Sequence, residues 1–99
     1  MRVGTTPTQT FTFPFNTSDI DSMHIIYSQD GEVKLIKTKD DCAFKDNVAK
    51  LTLSQEDTFL FKSKAFVDIQ VRVLVGDSAM ASNVMKRYVD VCLENEVLT

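Results

Sequence analysis

The stretch Ala65-Phe66-Val67-Asp68-Ile69-Gln70-Val71-Arg72-Val73-Leu74-Val75 decides how this chain is read. Val67, Ile69, Val71, Val73 and Val75 alternate with Asp68, Gln70, Arg72 and Leu74. A period of two sends the two sets to opposite faces of a half-buried β-strand. The inner set is β-branched throughout and suits a pleated, packed surface. Burying those five side chains contributes about 8–15 kcal/mol before conformational entropy is counted. The expectation is a central strand whose outer face, with Asp68, Gln70 and Arg72, is polar.

Working outward, Gly76-Asp77-Ser78 turns the chain. The segment Ala79 to Leu93 then carries two patterns. Ala81, Val84, Met85, Tyr88, Val91 and Cys92 match a helical stripe, while Val89, Val91 and Leu93 match a strand. A strand with a bulge near Ser82-Asn83 is favoured, because a short turn returns the chain antiparallel to the strand before it. Upstream, Met23–Gln29 and Glu32–Thr38 flank Asp30-Gly31, the pair preferred in a two-residue type I′ hairpin turn. Setting Gln29 opposite Glu32 places Ile25 against Ile36, Tyr27 against Lys34, Ile26 against Leu35 and His24 against Lys37. Met23, Ile25, Tyr27 and Ile36 then face the core. Ile26, Val33 and Leu35 are left outside as an apolar patch of the kind that marks a contact surface.

The first strand is expected over Gln9–Phe15, with Phe11, Phe13 and Phe15 on one face. Pro14 cannot donate to a ladder, which puts this strand at an edge or ends it in a bulge. Asn16-Thr17-Ser18-Asp19 offers turn and capping groups. Lys45-Asp46-Asn47 marks another turn, followed by a strand over Val48–Leu53. Ser54-Gln55-Glu56-Asp57 reads as a capped helical start, after which Phe59 and Phe61 close the end of the core. About seven short strands with turn signals between them, and one short helical turn, imply an all-β, antiparallel sandwich of immunoglobulin-like type. The reading is one domain over residues 1–99, with extended termini at about 1–8 and 94–99.

The totals narrow the function classes. The chain has 99 residues, 43% hydrophobic and 25% charged, in the range of an ordinary globular domain. Eleven basic residues against fourteen acidic ones leave a net charge of −3, and no basic face marks a nucleic-acid partner. No apolar run reaches the roughly 18 residues that span a bilayer. The opening Met1-Arg2-Val3-Gly4-Thr5-Thr6-Pro7 lacks the apolar core of a secretory signal. Synthesis in a reducing cytosol is therefore the expectation. Cys42 and Cys92 form no metal-spacing motif. They read as reduced small hydrophobes, with a disulfide left open should their strands lie side by side.

No pattern carries catalysis. His24 with Ser28 and Asp30 supplies the residue types of a triad without any flanking signature. Zinc would need His24, Cys42 and Cys92 to converge from three separate segments. Asp40-Asp41 and Glu56-Asp57 lack the central glycine of a calcium loop and are already explained as turn and capping residues. The isolated glycines make no phosphate cradle. Phe11, Phe13 and Phe15 resemble a base-stacking platform, but without a basic groove they read as a core stripe. The expectation is a protein that is not an enzyme, takes no cofactor, metal or small-molecule substrate, and contacts neither nucleic acid nor membrane.

Several segments together resemble the small all-β proteins encoded by phages and prophages of Gram-positive bacteria. They are Thr6-Pro7-Thr8-Gln9-Thr10-Phe11, Ile25-Ile26-Tyr27-Ser28-Gln29, Leu53-Ser54-Gln55-Glu56-Asp57-Thr58, Gln70-Val71-Arg72-Val73, Ala81-Ser82-Asn83 and Cys92-Leu93-Glu94-Asn95-Glu96-Val97-Leu98. The turn followed by a long valine-rich strand is similar to immunoglobulin-like domains of phage tail and baseplate proteins. The resemblance implies a virion-associated or accessory protein made in the host cytoplasm, acting as a non-enzymatic structural or assembly module. Its partners would be other phage structural proteins or further copies of itself. Ile26, Val33, Leu35, Pro14, Val97 and Leu98 are the candidate contact residues. The alternative is a phage-encoded inhibitor or modulator that binds a host protein.

Overall fold

A computed structural model describes the chain from Met1 to Thr99. Eight strands form two antiparallel sheets: β1 (Thr8–Thr12), β2 (Ser22–Gln29), β3 (Glu32–Thr38), β4 (Cys42–Lys45), β5 (Val48–Thr52), β6 (Ala65–Val75), β7 (Ser78–Ala81) and β8 (Met85–Val89). One helix, α1 (Gln55–Phe59), and two short 3-10 turns (Thr17–Asp19 and Lys39–Asp41) complete the structure. No helix is long and apolar enough to cross a membrane. The smaller sheet has the order β1-β5-β4. The larger runs β3-β2-β6-β7, with β8 also paired to β6.

The alternating strand is the central beam of the larger sheet. Its residues Asp68–Leu74 pair with Ser28–Ser22 of β2 on one edge. The other edge is shared: Ala65–Ile69 pairs with β8 and Arg72–Val75 with β7. The segment after Gly76 is therefore one broken strand, interrupted at Ser82–Val84. There the Ser82 amide donates to the Val71 carbonyl at 2.8 Å. The Val71 amide donates to the Ser82 hydroxyl oxygen at 3.0 Å. A side-chain oxygen thus replaces one ladder acceptor, which is how the extra residues are absorbed at the expected bulge.

Val67, Ile69, Val71 and Val73 join Met23, Ile25 and Tyr27 of β2, Leu51 of β5, and Leu53 and Phe61 in one buried cluster between the sheets. The hairpin turn is as expected, with both Asp30 and Gly31 at positive φ (53° and 76°), as a type I′ turn requires. Its register is not. Gln29 faces Glu32 and Ser28 faces Val33, but a bulge then slips the pairing, so that Tyr27 faces Leu35, Ile26 faces Ile36 and Ile25 faces Lys37. One slipped residue exchanges the two faces of a strand. Leu35 consequently packs against the core, and Ile36, expected inside, is 48% exposed.

The first strand stops at Thr12, two residues short of Pro14, and lies at an edge with β5 as its strand neighbour. Ser54 caps α1 as expected: its hydroxyl accepts from the Asp57 amide at 3.0 Å, and the Asp57 carboxylate accepts from the Ser54 amide at 2.9 Å. The chain ends are tied to the body. Val3 is buried, the Val3 amide donates to the Asp90 carbonyl at 3.2 Å, and the Asp90 amide donates to the Met1 carbonyl at 2.6 Å. In the C-terminal segment, the Gln55 amide group receives from Leu98 N–H at 2.7 Å and donates to Leu98 C=O at 3.1 Å.

Candidate interaction surface

The two long sides of the paired sheets differ. On one side the chain crosses from β3 through Lys39–Asp41 into β4, so a covalent connection closes the gap. Lys37 shares the inward face with Ile25, which it opposes in the ladder, and bonds Asp57 of α1 at 3.0 Å. An inward-pointing charge on an edge strand discourages pairing with another chain. On the other side the N-terminal segment crosses from Asp90, just past β8, to β1 at one end only, and the rest of the gap is open. Residues Thr10–Phe15 face Val71, Val73, Met80, Ala81, Ser82 and Met85 across an apolar cleft of about 350 Å³. Phe13 and Phe15 stack in its wall with ring centroids 5.4 Å apart.

Strand geometry makes β1 an open edge of this cleft. The Phe13 amide donates to the Asn47 carbonyl at 2.8 Å and the Leu53 amide to the Pro7 carbonyl at 3.0 Å. Alternation in an antiparallel ladder then turns the backbone groups of Pro7, Gln9, Phe11 and Phe13 toward β5, and those of Thr8, Thr10 and Thr12 away from it. All three threonines are exposed. Pro14 holds the next outward position and has no N–H to offer.

The expected contact residues are thus divided. Pro14 lines the cleft. Ile26 and Val33 lie on the outer face of the larger sheet, half-buried and 54% exposed, and Ile36 joins them opposite Ile26. Leu35 leaves this patch for the core, because the bulge reverses its face. Val97 and Leu98 are exposed in the C-terminal segment, away from any strand.

The outer face of β6, read as polar, is polar only in its middle. Phe66 packs edge-to-face on Tyr88 of β8 with centroids 5.4 Å apart, and Leu74 is exposed near the other end. Between them Lys86 bonds Asp68 at 2.6 Å across the β6–β8 pair. The same alternation that buries the valines dictates this placement, since Phe66 and Leu74 share parity with Asp68 and Arg72. Met80 and Met85 form the cleft wall from strands, although Met85 also fits the helical stripe that the segment does not adopt. A different signal does mark the cleft's other wall: from Val3 to Ser18 the chain carries no charged side chain.

The candidate chemical groups are positioned by packing. Arg72 opposes His24 across the β2–β6 pair on the outer face. No three His, Cys, Asp or Glu side chains gather as a metal-binding group. Cys42 and Cys92 are both free thiols, each packed partly against the core. Burial, and next the neighbouring Asp41, pushes the Cys42 thiol up, which keeps it protonated and a poor nucleophile. The Tyr27 hydroxyl, which donates to Gln9 across the sheets, is raised far above its ordinary value by burial and then by the nearby Cys42 and Asp57. Burial would push the Asp57 carboxyl up. The Ser54 amide and hydroxyl and the Lys37 ammonium outweigh it and hold the group below the usual carboxylate range.

Compared with known proteins, the chain matches no family model, no curated protein and no solved structure.

Proposed function

We propose that the protein is a non-enzymatic structural or assembly module that works through protein–protein contacts. The observation that supports this most is the open side of the fold, where an apolar cleft lies beside an uncharged strand edge. Exposed strand edges are templates for pairing with another chain, and natural proteins usually blunt them with charge. Apolar grooves beside such edges suit extended segments, whose backbone supplies affinity and whose side chains supply specificity.

The resemblance to small all-β phage and prophage proteins suggests the setting. In that setting the partners are other phage structural proteins or further copies, and the protein is made in the host cytoplasm and joins the virion. The immunoglobulin-like part of the proposal concerns layers rather than connectivity. In the immunoglobulin arrangement the second strand lies beside the fifth. Here β1 takes that position, and β2 lies between β3 and β6.

Two measurements test the proposal: mass spectrometry of purified phage particles, and pull-down of structural proteins encoded beside it by the tagged full chain. Recovery in particles or capture of a structural protein supports it. Absence from particles, with no structural partner and altered host growth on expression alone, overturns it in favour of the host-directed inhibitor.

A further inference from the structure

We propose that the occupant of the open side is a second copy of this chain, the two β1 edges pairing antiparallel about a two-fold axis at Thr10. This deepens the assembly reading and rests on it for its purpose, but its geometry stands on the edge alone. Thr8, Thr10 and Thr12 turn their unpaired N–H and C=O groups outward. Antiparallel pairing about Thr10 sets Thr8 opposite the second copy's Thr12 and Thr10 opposite its own equivalent. Every outward-facing residue then meets an outward-facing residue, which makes three hydrogen-bonded pairs and about six new backbone bonds. Cross-strand threonine pairs are favourable in their own right.

The ends of this ladder are defined as well. The next pair would match Pro14 with Thr6, and Pro14 has no N–H to give. The strand is therefore short and self-complementary, as a two-fold contact between identical patches must be. Charge also favours this strand. The chain carries a net charge of −3, so two copies repel in general, yet Val3 to Ser18 holds no charge to oppose like charge at the axis. Three of the other sheet edges hold charge within the strand: Glu32, Lys34 and Lys37 on β3, Lys45 on β4, and Lys86 and Arg87 on β8; the four-residue β7 holds none, but Asp77 stands directly beside it in the turn. Pairing through β1 continues the smaller sheet across the axis and sets the cleft of each copy, at the Thr10–Phe15 end of its strand, beside the Thr6–Thr10 end of the other. The uncharged segment before Thr10 of each copy then flanks the apolar cleft of the other.

Sedimentation velocity on the full chain across a concentration series tests this, beside two variants. Thr10→Lys sets two ammonium groups against each other at the axis, and Thr10→Pro removes the central outward donor. Neither touches a bond to β5, and proline is tolerated on an edge whose N–H faces solvent. The expected result is a dimer of twice 11.2 kDa that each variant weakens by about tenfold or more, with far-UV circular dichroism unchanged. Hydrogen exchange should slow at the amides of Thr8, Thr10 and Thr12 as the wild-type chain is concentrated, and not in Thr10→Lys. A wild-type chain that stays monomeric at about millimolar concentration overturns the inference, as does a dimer that survives both variants. A monomer that still captures a structural protein overturns only the self-pairing and leaves the assembly reading standing. A variant-sensitive dimer absent from particles does the reverse.

Discussion

Gln29 shows what one side chain does in this fold. It is buried at the end of β2, where an amide group needs partners for both its donor and its acceptor. It finds both on one residue: Gln29 Nε2 donates to the Lys62 carbonyl at 2.9 Å, and the Lys62 amide donates to Gln29 Oε1 at 2.7 Å. The side chain thereby acts as an extra strand residue and anchors the loop between α1 and β6. Gln29→Leu leaves two backbone groups of Lys62 without partners. It should lower stability by about 1–3 kcal/mol, measured from the urea unfolding midpoint. Gly4 is constrained in a different way. Its φ is +76°, and an added Cβ would lie 2.8 Å from Phe59 Cζ. Both the backbone conformation and the ring that closes the core end require glycine there.

At the scale of elements, the β2–β3 hairpin and α1 carry the sharpest expectations. The bulge beside Ser28 puts Leu35 inside and Ile36 outside. Leu35→Ala should therefore cost about 1–3 kcal/mol and Ile36→Ala less than about 0.5 kcal/mol, read from paired chemical denaturation curves. The simple in-register hairpin demands the opposite order. In α1, Asp57 both closes the capping box and pairs with Lys37. Its carboxyl is lower in the folded than in the unfolded chain. Its contribution is thus complete above the ordinary carboxylate value near 4 and is lost as pH falls through the folded value. Stability measured from pH 7 to pH 2.5 should drop below about pH 4, and Asp57→Asn should flatten that drop while lowering stability at neutral pH.

On the scale of the whole molecule, the ends of the chain lock the larger sheet. Met1–Val3 runs beside Asp90, joined by a parallel bridge between Arg2 and Asp90, and Val3 enters the main core with Val89. Removing residues 1–3 should lower stability by about 2–3 kcal/mol, from the lost burial of Val3 and its backbone bonds, as read from the shift in unfolding midpoint. The two sides of the fold also differ in kind. The β3–β4 side is sealed by the Lys39–Asp41 crossover and guarded by Lys37, whereas on the β1 side the N-terminal segment closes only the Asp90 end and the Phe13–Met80 end remains apolar. That asymmetry gives the contact reading its direction.

Much of this was legible one residue at a time. The period of two in Ala65–Val75 determines a buried strand, Asp30-Gly31 determines a tight turn, and Ser54 with Asp57 determines a capped helical start. Each is a local preference that neighbours in sequence express without help. Pro14 likewise announces an edge through its missing N–H. Which residues meet across strands was not legible, because one bulge in β3 depends on packing against β2 and reverses every side chain beyond it. The candidate patch Ile26, Val33 and Leu35 failed at Leu35 for that reason. The cleft was hidden for a related one: Pro14 and Phe15 meet Met80 and Met85 only when two sheets pack, and no spacing in the chain records that distance. Local sterics and hydrophobic period were enough for the long strand, the hairpin arms and their turns, and left Ala79–Leu93 open between helix and strand. Which side of the paired sheets keeps an open cleft emerges only on packing, because the Lys39–Asp41 crossover and Lys37 seal the β3–β4 side while Phe13 and Phe15 meet Met80 and Met85 across a gap.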